Sequence, residues 1–167
     1  KERNISCSAF NEDIPAFVRR TQNIVMQHDS NGRALLELLT VIVSEMLITS
    51  TLREATNVPD LDHGVSAMIT DHAKDEARHH AFYKQVLLDL WPRLSDRNRS
   101  LALTHIHSLL MAYTAPDNDA IANELQAVGL TIDQAHQVIA ETYAPRSVSE
   151  YAIACGGTIL STFEELT

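Results

Sequence analysis

Hydrophobic residues recur at three- and four-residue intervals through most of the chain, and no stretch shows a sustained alternation of apolar and polar positions. This spacing is typical of amphipathic α-helices, whereas half-buried strands alternate with a period of two. The pattern predicts a long helical hairpin in the first half and further helices over 13–28, 96–113, 117–127, 132–143 and 148–166. The fold class predicted from the pattern is therefore all-α, a helical bundle.

The last predicted helix has a clear start and an unusual middle. Ser147 and Glu150 have the spacing of a capping box, so we expect the helix to begin there. Gly156 and Gly157 fall inside it, where each glycine costs about 1 kcal/mol relative to alanine. We therefore expect a kink or a close helix crossing at the two glycines, and we expect this helix to cover the bundle.

The first helix of the hairpin contains one isolated carboxylate. Residues 35–48 are apolar on nearly every side except for Glu45, which is typical of a central, buried helix. Burying an unpaired carboxylate costs several kcal/mol, and such groups are found paired, protonated or bound to a metal. No lysine or arginine lies within one turn of Glu45. Its partner must come from another segment.

The second helix of the hairpin supplies candidate partners. His72, Glu76 and His79 are spaced i, i+4, i+7, so they share one stripe with apolar residues and are predicted to face inward. Pro59 predicts a turn and Asp60 a plausible N-cap. Counted from this turn, Glu45 and His72 both lie roughly 20 Å along their helices. The sequence therefore places the four side chains at similar depth, with Glu76 one turn beyond His72.

This donor set indicates a metal site. Carboxylates and imidazoles suit iron or manganese, whereas a closed structural zinc site more often uses thiolates. Glutamate can bridge two ions or change its binding mode, which leaves positions open for dioxygen and favours a redox site. A zinc protease is excluded, because its motif needs glutamate directly after the first histidine and residue 73 is alanine.

A glutamate on one bundle helix with Glu-x-x-His on the next is the half-site of ferritin-like di-iron proteins. The longer pattern Glu45-x26-His72-x3-Glu76-x2-His79-His80, with Asp75 before the glutamate, resembles the second half of the p-aminobenzoate N-oxygenase family. That family's signature is a glutamate followed about thirty residues later by Asp-Glu-x-x-His-His. The histidine one turn before that glutamate is similar to the family's distinguishing third histidine ligand. The resemblance covers residues 35–90.

The resemblance implies a ferritin-like bundle whose metal ligands are Glu45, His72, Glu76 and His79. It also implies two iron ions, with manganese as an alternative, dioxygen as co-substrate and an external electron donor. The function expected is oxidation of the amino group of a small arylamine toward hydroxylamine, nitroso or nitro products. A di-iron hydroxylase or desaturase and a non-enzymatic ferritin-like metal-binding bundle remain alternatives.

The family carries two such halves in one chain, and a second glutamate with its own Glu-x-x-His is not found here. The nearest candidate, Asp133-Gln-Ala-His136, lies in the first turn of a short helix behind a capping box of Thr131 and Gln134. We therefore expect residues 1–167 to form one all-helical domain that is the C-terminal part of a longer di-iron oxygenase. A missing N-terminal half or a second chain would complete the site.

Several neighbours have candidate roles beside the ligands. Asp75 is suited to accept the N–H of a ligating histidine from another helix, and His80, turned 100° from His79, is expected beside the ligands rather than on the metal. Thr49 and Tyr83 are candidate pocket-lining residues. For Tyr83 and Trp91 core packing is the favoured interpretation over a redox role.

Composition limits the remaining choices. The chain has 167 residues, 45% of them hydrophobic, and a formal net charge of −9 without a basic cluster, which argues against nucleic acid or an anionic membrane as partner. No signal peptide, long uncharged apolar run or Cys-x-x-Cys pair is visible. The cytoplasm is therefore the expected location. A small amine substrate is implied by the resemblance alone, and we also expect a homodimer.

Overall fold

The computed structural model describes residues 14–55 and 61–167, apart from the side chains at 49–51, 53 and 54. The described residues form seven α-helices, a 3₁₀ turn at Trp91–Arg93 and no strand, which confirms the all-α prediction. No described helix is both long enough and apolar enough to cross a membrane. In chain order the helices are α1 (Ala16–Val25), α2 (Ser30–Ala55), α3 (His63–Leu90), α4 (Asp96–Thr114), α5 (Asn118–Ala127), α6 (Ile132–Thr142) and α7 (Pro145–Glu165).

Helix α2 lies at the centre of the bundle and packs against α1, α3, α4 and α7. Leu36, Leu39 and Ile42 on this helix are fully buried, and they share one core with Leu109 of α4 and Ile159 of α7. Burial of each of these large aliphatic side chains contributes about 1.5–3 kcal/mol of hydrophobic stabilisation. The prediction of a central helix after residue 35 is confirmed.

Helix α3 is much less covered than α2. Among the described helices, α3 makes its extensive contacts with α2. The 3₁₀ turn follows α3 directly and also contacts it. Of its 28 residues only Glu76 and Leu87 are buried. One long side of α3 therefore faces solvent.

The start of α3 differs from the sequence prediction. The helix begins at His63, and Oδ1 of Asp62 accepts hydrogen bonds from the N–H groups of Gly64 at 2.9 Å and Val65 at 3.2 Å. The predicted cap Asp60 and the predicted turn at 57–60 lie outside the described residues. The N-cap role assigned to Asp60 is wrong, because Asp62 satisfies the first free N–H groups of the helix.

Helix α7 begins at Pro145, three residues before the predicted start at 148. Pro145 occupies its first turn and no side chain caps it, so the expected capping box at Ser147 does not form. Proline suits this position because it has no N–H to satisfy and its φ is already helical. The carboxylate of Glu150 instead accepts a hydrogen bond from Arg146 at 2.7 Å.

Gly156 marks a close crossing of α7 and α4, one of the two outcomes expected at the glycine pair. Gly156 is buried, and a Cβ there would lie 2.7 Å from Cδ1 of Leu110. At Gly157 a Cβ would meet no atom within 4 Å. Helix α7 runs unbroken through both glycines, and it packs on α2 and α4 as a covering helix.

Helix α1 is shorter than the predicted 13–28, because the chain turns after Val25 to begin α2. Oδ1 of Asp29 accepts a hydrogen bond from the N–H of Gly32 at 2.8 Å and so caps α2. The other oxygen of Asp29 accepts a hydrogen bond from Arg97 of α4 at 2.6 Å. This carboxylate therefore joins the start of α2 to the start of α4.

Candidate metal centre

Glu76 is the centre of the predicted site and is 7% exposed. Its Oε2 lies 3.1 Å from Nδ1 of His79, and its Oε1 lies 3.5 Å from Nε2 of His72. The three residues are one turn apart along α3, so the helix itself sets this arrangement. Each oxygen of one buried carboxylate therefore faces a different imidazole.

Glu45 joins this group from α2. Its Oε2 lies 3.4 Å from Nδ1 of His79. One possible ligand atom from each of Glu45, Glu76 and His79 lies within 4.8 Å of the other two. No other group of three histidine, cysteine, aspartate or glutamate residues is this close in the described part of the chain. The side chain of Glu45 is 28% exposed, so the cluster lies at the edge of the helix pair.

The contact of Glu45 with α3 lies further from the turn than the counted level of Glu45. The count places Glu45 level with His72, whereas the ionic contact between the helices is with His79, two turns further along α3. Side chains lean toward the N-terminus of their own helix. In an antiparallel pair Glu45 therefore leans away from the turn and His79 leans toward it, so α2 residues meet α3 residues further from the turn.

The charges in the cluster favour a bound cation. Glu45 and Glu76 place two carboxylates around one imidazole, and like charges at this separation repel each other. Oxygen and nitrogen donors are the ligands that iron and manganese accept, and the cluster contains no thiolate. These residues therefore fit the di-iron ligand set implied by the sequence.

The residues expected beside the ligands occupy different environments. Asp75 accepts a hydrogen bond from Arg78 at 2.8 Å, and both side chains are more than half exposed. His80 is partly buried, and Tyr83 packs against the main core with its ring centroid 5.2 Å from that of Phe82. The side chain of Thr49 lies outside the described residues. The roles proposed for these residues stay predictions.

Two other candidates lie elsewhere. Asp133 and His136 are exposed on α6, which begins with the predicted capping box of Thr131 and Gln134 and contributes nothing to the cluster. Trp91 is 5% exposed and packs in the core, as favoured from the sequence. Its Nε1 donates a hydrogen bond to the carbonyl of Leu166 at 2.9 Å.

Sequence reasoning missed Tyr113 on α4. Its hydroxyl donates a hydrogen bond to the carbonyl of Thr40 at 3.3 Å, close to Glu45 along α2. Burial raises the pKa of Tyr113; a hydrogen bond with Ser44 opposes the increase, and the negative charge of Glu45 adds to it. No local motif marks Tyr113, because its position depends on how α4 crosses α2.

The cluster lies on an exposed surface that we call the open face. It consists of five large apolar residues around the histidines, each between 37% and 66% exposed: Val41, Ile48, Val65, Met68 and Phe82. On α2, Val41 and Ile48 flank Glu45 at one-turn spacing. The side chains of His72 and His79 are 53% and 55% exposed on α3, so the prediction that the stripe faces inward is wrong for the two histidines, because no described helix covers this side of α3. A contiguous exposed apolar surface of this kind is typical of an interaction site.

A helix pair that sets a glutamate against Glu-x-x-His within an all-α bundle defines the ferritin-like class of di-iron carboxylate proteins. The family model described as P-aminobenzoate N-oxygenase AurF matches residues 7–167. The chain therefore belongs to the p-aminobenzoate N-oxygenase family, and the match extends the resemblance from residues 35–90 to most of the chain. No curated protein and no solved structure matches it.

Proposed function

We propose that this protein is a di-iron N-oxygenase that oxidises the amino group of a small arylamine. The observation that carries the proposal is the convergence of Glu45, Glu76 and His79, with His72 beside Glu76, in a member of this family. Two bound iron ions would supply the activation of dioxygen and the oxidation of the amine nitrogen, with electrons from an external donor.

The four side chains have distinct tasks in this proposal. Glu76, whose two oxygens face different imidazoles, would hold metal together with those two histidines. Glu45 would hold metal from the opposite helix, and the two histidines would bind through nitrogen. Burial of Glu76 restricts its motion and excludes water from the inner side of the site. The protein thus contributes a preformed set of donors on two rigid helices.

The open face supports our proposal that another polypeptide segment completes the site. A di-iron site normally uses four helices and about six or seven protein ligands, and α2 and α3 supply four. Solvent exposure of the two histidines leaves their outer side accessible to further helices. We propose that a helical segment with additional carboxylates packs on the open face.

Two sources of that segment are possible, and we favour an N-terminal region of the same protein. A second copy of this chain would bring four histidines into one site, which departs from the three-histidine pattern of the family. Sedimentation analysis and intact mass of the full-length protein distinguish the sources. A monomer with a complete metal site supports the N-terminal region, and a dimer whose metal binding is lost on dissociation supports the second copy.

Metal analysis of the full-length protein, followed by its optical spectrum when the reduced protein meets dioxygen, tests the metal assignment. Incubation with p-aminobenzoate, an electron donor and dioxygen then tests the reaction. We expect hydroxylamine, nitroso or nitro products by mass spectrometry. Ring hydroxylation alone would indicate a hydroxylase, whereas bound zinc or iron inert to dioxygen would indicate a non-enzymatic metal-binding bundle.

A further inference from the structure

A cavity of about 550 Å³ lies between the ends of α4, α5, α6 and α7. Tyr113 and Pro116 form its wall on the α4 side, and Ile121 of α5 lies opposite. Tyr143 follows the end of α6, and Val148 and Tyr151 belong to the first turns of α7. A volume of this size falls within the range of small-molecule sites, which span roughly 300–1,000 Å³.

The cavity separates two packing units of the chain. Helices α5 and α6 make their extensive contacts with each other, around a small core of Ala122, Ala135 and Ile139. This core is distinct from the main core built around α2. The α5–α6 hairpin thus covers the cavity from one side, and ligand sites are common at such boundaries.

The α4 side of the cavity is held firmly. The ring of Tyr113 stacks on Phe17 with centroids 5.3 Å apart, and its hydroxyl is bound to Thr40. The guanidinium of Arg20 donates hydrogen bonds to the carbonyls of Ala115 and Pro116, both at 2.6 Å. These contacts hold the aromatic wall in a fixed position in the absence of a ligand. On the opposite rim, Tyr143 is 40% exposed and Tyr151 is 46% exposed.

The lining determines the kind of ligand. Three tyrosine rings, Ile121 and Val148 provide apolar contact, while hydroxyl groups provide a few hydrogen-bonding positions. None of the described lining residues is charged. Flat rings stack favourably on tyrosine, whereas an ionised ligand would lose its hydration without a charged partner.

We propose that this cavity binds a small, uncharged aromatic molecule at a site separate from the carboxylate–histidine cluster. The inference stands independently of the metal, because the cavity is formed without any ligand of the metal centre. Ligand bound there contacts both the α5–α6 hairpin and the rigid wall at Tyr113, so it should hold the hairpin against the bundle.

Amide NMR titration of the metal-free full-length protein with phenol tests this proposal without any substitution. We expect saturable shifts at lining residues such as Ile121 and Val148, and slower amide hydrogen exchange in α5 and α6. Benzoate, which has a similar ring and a negative charge, should bind at least about tenfold more weakly because its charge has no partner. Absence of saturable shifts, shifts confined to other regions, or benzoate binding equal to phenol binding would overturn the proposal.

A matched pair of variants provides a second test. Val148→Trp fills the cavity with an indole ring and should weaken phenol binding by about tenfold or more. Val128→Trp introduces the same side chain at a position that is 76% exposed and outside the cavity, so it should leave binding unchanged. Equal phenol affinity in folded Val148→Trp and Val128→Trp proteins would contradict the assignment of the site.

Discussion

Oε2 of Glu45 on α2 lies 3.4 Å from Nδ1 of His79 on α3, and this contact joins the two helices that carry the candidate metal centre. The same nitrogen of His79 lies 3.1 Å from Oε2 of Glu76. One imidazole therefore stands between carboxylates from different helices. A cation bound at this point would replace the repulsion between the carboxylates with coordination to both.

Glu45→Ala and His79→Ala should each lower the iron content of the full-length protein by about tenfold or more, because each removes a donor from a site with few alternatives. Metal analysis by mass spectrometry measures the effect. His136→Ala is the control, since His136 is exposed on α6 outside the cluster. Unchanged iron stoichiometry in both ligand variants would refute the ligand assignment.

Glu45→Gln distinguishes a metal ligand from a member of a structural ion pair. In metal-free protein the neutral amide relieves repulsion with Glu76, so thermal stability should equal that of the wild type or exceed it by up to about 1 kcal/mol. Iron binding should be lost in the same variant. A loss of about 3–5 kcal/mol in the metal-free protein would instead show that Glu45 compensates a buried cation.

Asp75→Asn tests the predicted support of a histidine ligand from another helix. Asp75 lies between His72 and His79 along the exposed side of α3. The amide keeps the shape and loses the charge, so metal affinity or activity of the full-length protein should fall about 10- to 100-fold. Arg78→Gln removes the observed partner of Asp75 and is the control. Equal effects of both changes would assign Asp75 to the surface ion pair alone.

Gly156→Ala should destabilise the bundle, because the added methyl group collides with Leu110 at the crossing of α7 and α4. We expect a loss of about 1–3 kcal/mol in the free energy of unfolding. Gly157→Ala meets nothing within 4 Å and should stabilise α7 by about 0.5–1 kcal/mol. Denaturant unfolding of the two variants measures both values, and equal effects would contradict the close crossing.

The ring of His105 on α4 packs against that of His28, with centroids 4.7 Å apart. Burial lowers the pKa of His105 below its usual 6.5, and the neighbouring His28 adds to the decrease. The unfolded chain therefore takes up the proton first. Stability should fall as the pH drops through 6.5, and this loss should continue down to the pKa of the folded state.

His105→Phe keeps an aromatic ring beside His28 and removes the titration. Urea unfolding at about pH 7.5 and pH 5.5, on either side of the usual histidine pKa, should show a smaller pH dependence than in the wild type. The Gly32 N–H and Arg97 lower the pKa of Asp29. The contribution of Asp29 to stability is therefore lost only as the pH falls toward and below 3.8. The same pH dependence in both proteins would rule out His105 as the titrating group.

The sequence by itself determined the helical class, the central position of α2 and the four side chains proposed as ligands. Periodicity and residue chemistry are local properties, and one turn of helix brings His72, Glu76 and His79 together on α3 whatever surrounds it. An isolated carboxylate in an apolar helix likewise predicted an interacting group on another segment. Family membership, recognised on residues 35–90, extends over residues 7–167.

Only the tertiary structure decided which residues meet between helices. The lean of side chains in an antiparallel pair sets His79, rather than the level His72, against Glu45, and the crossing of α4 over α2 places Tyr113 near the site. The exposure of α3 likewise depends on what packs against it. Such relations join positions far apart in sequence, and helix register and packing set them rather than local periodicity.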